Sequence, residues 1–318
     1  MAAAELAALI GTTEARVREE FGIHTKAVGQ PGESALDHAL GAARAVMADE
    51  DPAAIGLLVY TSSSPPDHLF WTGAYKLHDK LGLKHARVME LNVGCIGGLY
   101  ALEAARDALV ADPRLKRALV VAAEGFHFDP TYPNYGHAAN EPMYILADGA
   151  AAVVLASDRE GPLQNRLGVF ARRVDASLHV DHPVPAGGAK RPTTVETAAA
   201  GEQFLTMQAR DQRSLHRFGL LYVAHYLEVL REALGPGNKP DWLVSNQLKL
   251  PLMKILVGRL GLPFERAVYT MPKLGHVGTA DVLLGLENVL GRMAPGETAG
   301  IVASGVGFAW GATTLTRL

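Results

Sequence analysis

Leu91-Asn92-Val93-Gly94-Cys95-Ile96-Gly97-Gly98-Leu99-Tyr100 holds the only cysteine of the chain. An extended run over residues 86–91 leads into it, and an alanine-rich helical run over residues 99–110 leaves it. Glycines on both sides give the backbone the freedom that a tight strand-to-helix turn needs. A thiol held there sits at the positive end of a helix, which favours negative charge. A lone cysteine is more often a small buried hydrophobe, but such a residue has no use for glycine on both flanks. The stretch points to Cys95 as a nucleophile and to a protein that moves an acyl group.

The surrounding pattern is strand and helix in alternation. Residues 55–60 and 118–123 are continuous apolar runs, the mark of parallel strands buried on both faces; residues 86–91 are interrupted by Arg87 and Glu90. Helices are expected over residues 4–10, 13–21 and 34–48, with Ser34 as a cap of the last. The chain then repeats itself: strand 242–244, helix 250–260, strand 267–270, helix 279–290, strand 300–303. Each half closes with a further strand after a glycine turn, residues 150–155 after Asp148-Gly149 and residues 312–316 after Gly305-Val306-Gly307 and Gly311. The polar turn Asp158-Arg159-Glu160-Gly161-Pro162 divides the chain into halves 1–160 and 161–318.

Duplication has a chemical consequence. In the second half the position matching Cys95 lies in Lys273-Leu274-Gly275-His276-Val277-Gly278-Thr279. If the halves pack about a pseudo-twofold, two helix N-termini converge and His276 meets Cys95. The imidazole would take the thiol proton and later that of an incoming hydroxyl or amine. Asp281 follows His276 by five residues. It either orients the ring, as the third member of a triad does, or is a solvated first-turn acid favoured by the helix dipole. Five residues along one continuous helix separate side chains by roughly 140°, so the pairing requires His276 to lie before the helix. Asn246-Gln247, at the carboxyl end of a core strand, point into the same crevice. Asn246 serves there as a donor to the acyl oxygen or as a cap for the next helix. The backbone N–H groups of Cys95 and Gly307 complete an oxyanion hole, in a segment that is also a tight turn.

Composition excludes several classes. The 318 residues are 48% hydrophobic and only 20% charged, with a net charge of -3 and no basic stripe, so nucleic acid is not a partner. One cysteine allows no internal disulfide and suits a reducing compartment. The first residues lack the pattern of a signal peptide, and no apolar run is long enough to span a bilayer, so a soluble cytoplasmic protein is expected. Glu124, His127 and Asp129, and likewise His179, Asp181 and His182, have mixed ligand chemistry without a fixed template, and no metal is expected. The run Gly305-Val306-Gly307-Phe308-Ala309-Trp310-Gly311 misses the dinucleotide fingerprint by one residue and precedes a strand, which excludes a nucleotide there.

Asn92-Val93-Gly94-Cys95-Ile96-Gly97-Gly98-Leu99-Tyr100-Ala101-Leu102 resembles the nucleophile motif of the β-ketoacyl-acyl-carrier-protein synthase III group, within the thiolase fold. Asp148-Gly149-Ala150-Ala151-Ala152-Val153-Val154-Leu155 is similar to the family's mid-chain motif, and Ser304-Gly305-Val306-Gly307-Phe308-Ala309-Trp310-Gly311 to its C-terminal one. The resemblance implies an α/β thiolase-like fold, two duplicated halves in a five-layered α-β-α-β-α sandwich. It also implies an acyl-cysteine and a homodimer whose partner helps to shape the substrate tunnel.

Two departures narrow the reading. Condensing members carry histidine where this chain has Asn246, and asparagine where it has His276. A divergent branch with a Cys (or Ser), His and Asp set resembles the chain better; its members prime or decorate antibiotic-type products. Cys95, His276 and Asp281 fit that set. At the N-terminus, Phe21-Gly22-Ile23 keeps only the tail of the family's coenzyme A-gripping segment, and the opening strand is missing. The expectation is an acyltransferase that needs no cofactor. It would take an acyl thioester of a carrier protein or coenzyme A, the carrier being favoured, and pass the acyl group to a small-molecule hydroxyl, an amine or a second carrier. The alternatives are a decarboxylative condensing synthase and a catalytically silent partner subunit. Phe126, Phe128, Tyr132, Tyr135, Tyr144 and Phe308, with the segment 179–208, are expected to line or cover the tunnel.

Overall fold

In the computed structural model, which describes residues 1–176, 184–206 and 212–318, two sheets are built alike. The first contains β1 (Ile55–Thr61), β2 (Arg87–Leu91), β3 (Arg117–Glu124) and β4 (Gly149–Ala156) in the order β2-β1-β3-β4. β1 is parallel to β2 and β3, and β4 is antiparallel to β3. The second sheet carries β5 (Asn165–Leu167) and β6 (Ala171–Val174) on one edge. Beyond them lie β7 (Trp242–Ser245), β8 (Ala267–Val268), β9 (Thr298–Gly305) and β10 (Ala309–Arg317). Here β7 is parallel to β8 and β9, and β10 is antiparallel to β9. The order β8-β7-β9-β10 repeats the first sheet strand for strand.

The helices are α1 (Ala3–Leu9), α2 (Glu14–Arg16), α3 (Ala35–Val46), α4 (Gly73–Lys80), α5 (Gly97–Ala111), α6 (Val195–Ala199), α7 (Gln212–Leu234), α8 (Leu250–Leu260), α9 (Met271–Leu274) and α10 (Asp281–Leu290). Alternate residues of a strand face opposite layers, and both faces are covered. Leu58, Leu119 and Val121 meet α3 and α4 through Leu36, Ala39 and Leu77. Leu57, Val59 and Val120 face the central layer, where Leu99 and Leu102 of α5 and Leu283 and Leu286 of α10 pack against Val244 and Ile301 of the second sheet. On the far side Leu243, Val302 and Trp310 are covered by Tyr226 and Leu230 of α7 and Met253 and Leu256 of α8. These are the five layers α-β-α-β-α, and burial on both sides is why the strands read as unbroken apolar runs.

Local signals set the ends. Ser34 caps α3 with Asp37 as its reciprocal partner: the Asp37 N–H donates to Ser34 Oγ at 3.3 Å and the Ser34 N–H to Asp37 Oδ2 at 3.0 Å. α8 begins with a proline in its first turn and stops at Gly261 in the left-handed region. The strand expected over residues 267–270 shortens to Ala267–Val268. Gln247 Oε1 accepts the N–H groups of Thr270 and Met271 at 2.9 and 3.1 Å and draws the chain off the sheet into α9. The helix expected from residue 279 starts with a 3₁₀ turn, Gly278–Ala280, and becomes α-helical at Asp281. Among the described residues no strand precedes β1; the first segment folds as α1, tied back by a single bridge between Ala2 and Thr25.

Candidate active site

Cys95 lies in a 3₁₀ turn, Gly94–Ile96, between β2 and α5, and is buried. Gly94 has φ +70, a conformation that glycine adopts without strain. The glycines after the cysteine serve a different purpose from the one expected. Gly97 already has helical angles. A Cβ on Gly98 would stand 2.1 Å from the Thr279 carbonyl oxygen, and one on Gly97 would stand 2.2 Å from Thr61 Oγ1. The pair lets the start of α5 lie flush against the turn that opens α10. Two helix N-termini from the two repeats thus meet.

His276 stands on the other side of that contact. Its backbone is pinned to the segment before β4: the His276 N–H donates to Ile145 O at 2.8 Å, and the Ala147 N–H to His276 O at 2.9 Å. Gly275, at φ +81, passes so close that a Cβ would be 2.9 Å from the Cβ atoms of Ala147 and Lys26. The histidine therefore precedes the helix, as pairing with Asp281 requires. Nδ1–H donates to Asp281 Oδ2 at 2.5 Å. The fully buried Asp281 carboxylate also accepts the Val277 N–H at 2.8 Å and the Gln247 N–H at 2.7 Å. With Nδ1 so engaged, Nε2 is the atom left for the nearby Cys95 thiol, whose charge acts on the ring. Burial alone would lower the His276 pKa; the charges of Asp281 and Cys95, with the hydrogen bond to Asp281, outweigh it and hold the ring well above the usual histidine range.

Asn246 is held rather than free to turn. Its Oδ1 accepts from the Tyr226 hydroxyl at 2.5 Å and from the Ser304 N–H at 3.2 Å, and its Nδ2 donates to Ser304 O at 3.3 Å. Gly305 and Val306 are the backbone units that touch the Cys95 turn: a Cβ on Gly305 would be 3.1 Å from Ile96 N, and one on Gly94 would be 3.1 Å from Val306 O. Gly307 follows at φ +98, with open space where a Cβ would stand.

Of the expected tunnel residues, Phe308 packs in the same cluster as Tyr226 and Trp310 and adopts φ +60, a strained value for an aromatic residue. Phe126 is buried against Leu146, which bridges to His276. Phe128 pairs with Tyr132, ring centroids 5.0 Å apart. Tyr135 and Tyr144 pack under the N-terminal helices with Leu6, Phe21 and Met271. His179, Asp181 and His182, and Gln208 at the end of the expected cover, lie outside the described residues.

The remaining candidate ligands have other work. Fully buried Glu124 accepts from the N–H and hydroxyl groups of Ser63 and Ser64 and from the Thr279 N–H at 2.9 Å, so it ties β1 and β3 to the turn before α10. Asp129 caps its own turn through Thr131. His127 bridges Asp148 at 2.9 Å and Tyr135 at 2.5 Å, and Tyr135 in turn accepts from Lys26 at 2.6 Å. Burial lowers the Lys26 pKa to about 7, against the charge of Asp148. No group of three or more potential metal ligands occurs among the described residues. Sequence reasoning missed Tyr222, Tyr226 and Ser304. Two tyrosines four residues apart read as part of an apolar helical stripe, and only the fold shows the Tyr226 hydroxyl on Asn246 and the Tyr222 hydroxyl on Ser304.

Comparison with known proteins agrees with this architecture. Residues 89–170 match the family described as 3-oxoacyl-[acyl-carrier-protein (ACP)] synthase III, and residues 233–317 match its C-terminal domain. The chain is 33% identical over 307 residues to a 3-oxopimeloyl-[acyl-carrier-protein] synthase of Rhodothermus marinus, covering 94% of this chain and 84% of that protein. It is 30% identical over 323 residues to a beta-ketoacyl-[acyl-carrier-protein] synthase III of Erythrobacter litoralis, covering 97% and 92%. Two solved structures share the fold with TM-scores of 0.81: 3-oxoacyl-[acyl-carrier-protein] synthase III of Aquifex aeolicus, at 20% identity over 100% of this chain and 95% of that one, and a substituted form of Xanthomonas campestris OleA, at 19% over 99% and 94%. With its duplicated sheets and its cysteine turn set against the second repeat, the chain belongs to the 3-oxoacyl-[acyl-carrier-protein] synthase III family of the thiolase superfamily.

Proposed function

We propose that this protein is an acyltransferase that carries the acyl group on Cys95 and delivers it to a hydroxyl, an amine or a second carrier. The observation that carries the reading is the single imidazole held between a buried carboxylate and the thiol. His276 takes the Cys95 proton, and the sulfur attacks the carbonyl carbon of an acyl thioester. The developing oxyanion is met by the Cys95 N–H and by the backbone of the glycine turn after β9, including Gly307. The carbon–sulfur bond to the donor breaks, and the imidazolium returns the proton to the departing thiolate. In the second half-reaction His276 takes the proton of the acceptor, whose oxygen, nitrogen or, on a second carrier, sulfur attacks the acyl-cysteine; the Cys95 thiolate leaves and takes the proton back from the imidazolium. Asp281 keeps the ring in one tautomer and stabilises its charged form.

The named relatives are condensing synthases, which makes decarboxylative carbon–carbon condensation the rival reading. Asn246 argues against it. At the end of β7 the chain carries an amide already bonded to Tyr226 and Ser304, and no second imidazole. An acyl carrier protein is the proposed donor, as the names of the relatives suggest, and antibiotic-type or fatty-acid-type biosynthesis is the proposed setting. The altered N-terminal segment favours a carrier over coenzyme A. A cytoplasmic location belongs to the same reading; among the described residues no helix is long and apolar enough to cross a membrane. The proposed assembly is a homodimer, with β2 as the open edge of the first sheet and Leu69 and Phe70 exposed in the loop after β1.

Intact-protein mass spectrometry with a panel of acyl-carrier and acyl-coenzyme A donors tests the reading. Wild type is expected to gain one acyl mass and Cys95→Ala none. Release of carbon dioxide from a malonyl thioester would favour condensation, and an unacylated wild type would favour a silent subunit.

A further inference from the structure

Lys26 is a cation that is 2% exposed. Its ammonium donates all three N–H groups: to the Tyr135 hydroxyl at 2.6 Å, to Leu146 O at 2.8 Å and to Tyr144 O at 3.0 Å. None of these acceptors is a carboxylate, and Asp148 lies beyond Tyr135 and His127. A cation taken out of water with no carboxylate bonded to it is costly, and a methionine would fill the same space. The two carbonyls account for the charge.

They flank the carbonyl from which His276 hangs. Ile145 O accepts the His276 N–H at 2.8 Å, the Ala147 N–H donates to His276 O at 2.9 Å, and Leu146 pairs with His276 as a parallel bridge. Successive carbonyls of an extended backbone point to opposite sides. Ile145 therefore faces His276, while Tyr144 and Leu146 turn their carbonyls the other way, onto Lys26. The ammonium stands where a further strand would, and serves buried carbonyls that need a partner. The next residue extends the grip. The Ala27 N–H donates to Leu274 O at 2.9 Å, and Ala27 O accepts the Asp148 N–H at 3.0 Å. Gly275, just before His276, leaves no room for a Cβ between Lys26 and Ala147.

We propose that Lys26 is a positioning residue for His276: its ammonium fixes segment 144–147 from behind, and that segment sets where the imidazole meets the sulfur. This rests on the acyl-cysteine reading above, in which His276 activates Cys95. A misplacement of about 1 Å at a reacting group can cost about 10²-fold in rate.

Cys95 is the only cysteine, so alkylation by iodoacetamide, followed by intact mass, reads this sulfur alone. The rate is measured at about pH 6, below the value of about 7 to which burial lowers Lys26. Lys26→Met is expected to react about tenfold more slowly than wild type. The downfield proton resonance of His276 Nδ1–H, assigned by its absence in His276→Asn, is expected to shift or broaden. Lys26→Arg is expected to restore rate and resonance, because a guanidinium can donate to the same carbonyls. Leu6→Ala removes packing from the neighbouring N-terminal cluster and leaves those carbonyls bonded; it is expected to lower the melting temperature and keep both readouts. A folded Lys26→Met with the wild-type rate and resonance, or a Leu6→Ala slowed as much, overturns the proposal and leaves the acyl-cysteine standing. Where Lys26→Met does not fold, a folded Lys26→Arg without the resonance does the same. His276→Asn alkylated as fast as wild type overturns both.

Discussion

Asp281 accepts three hydrogen bonds from three places: the ring of His276, the next backbone N–H at Val277, and Gln247 at the end of another strand. It fixes the imidazole and closes the framework around it at once. Asparagine would keep the shape but lose the charge, and its amide would set a donor against donors. Asp281→Asn is therefore expected to slow single-turnover loading of Cys95 by about 10²-fold or more. The same charge links folding to pH. The folded-state pKa of His276 is raised, so its proton contributes stability that is full below the unfolded value of about 6.5 and is lost as pH climbs through the folded value. Removing the Asp281 charge shrinks that alkaline loss. Urea midpoints should show a wider gap between wild type and Asp281→Asn near about pH 6 than near about pH 9; a gap that does not change with pH would refute the coupling.

At the scale of elements, the contact between α5 and the turn before α10 decides how far sulfur and ring stand apart. A methyl group at Gly98 meets backbone, which cannot move aside as a side chain can. Gly98→Ala should cost about 1–3 kcal/mol in chemical denaturation and depress loading of Cys95 out of proportion to that loss. Gly258→Ala is the matched control, in a helix with open space at the Cβ; it should leave loading alone and raise stability slightly through helix propensity. The elements themselves were largely legible, because burial on both faces writes strands as apolar runs and because α8 carries its own proline and glycine punctuation. What stayed hidden was set by contacts distant in sequence. Gln247 shortens β8 across a gap of more than twenty residues. Nothing local distinguishes an Asn246 fastened by Tyr226 from one free to meet a substrate. The duplication did expose the meeting of the two turns that carry Cys95 and His276, since matching positions in matching repeats face each other across a pseudo-twofold. The roles of Gly97 and Gly98 escaped because they concern the neighbour's backbone rather than their own.

For the whole molecule, the open side of the first sheet is the feature left to explain. β2 has β1 on one side and no partner on the other among the described residues, and an unpaired strand edge is a template for a second chain. In the loop between β1 and α4, Leu69 and Phe70 are exposed, and Phe70 holds φ +56, a costly conformation for an aromatic residue. Sedimentation should give twice the 33.8 kDa of one chain, and Phe70→Asp should shift the population toward monomer; a wild-type monomer at micromolar concentration would remove β2 as an assembly edge.

Neither repeat holds the proposed set alone, since one owns the sulfur and the other the ring with its carboxylate. Their seam runs through a pair of glycines, one of which lies flush on the Thr279 carbonyl. A sideways slip there of about one bond length would leave every strand and helix in place and still silence the chemistry. The molecule has a built-in way to be intact and idle.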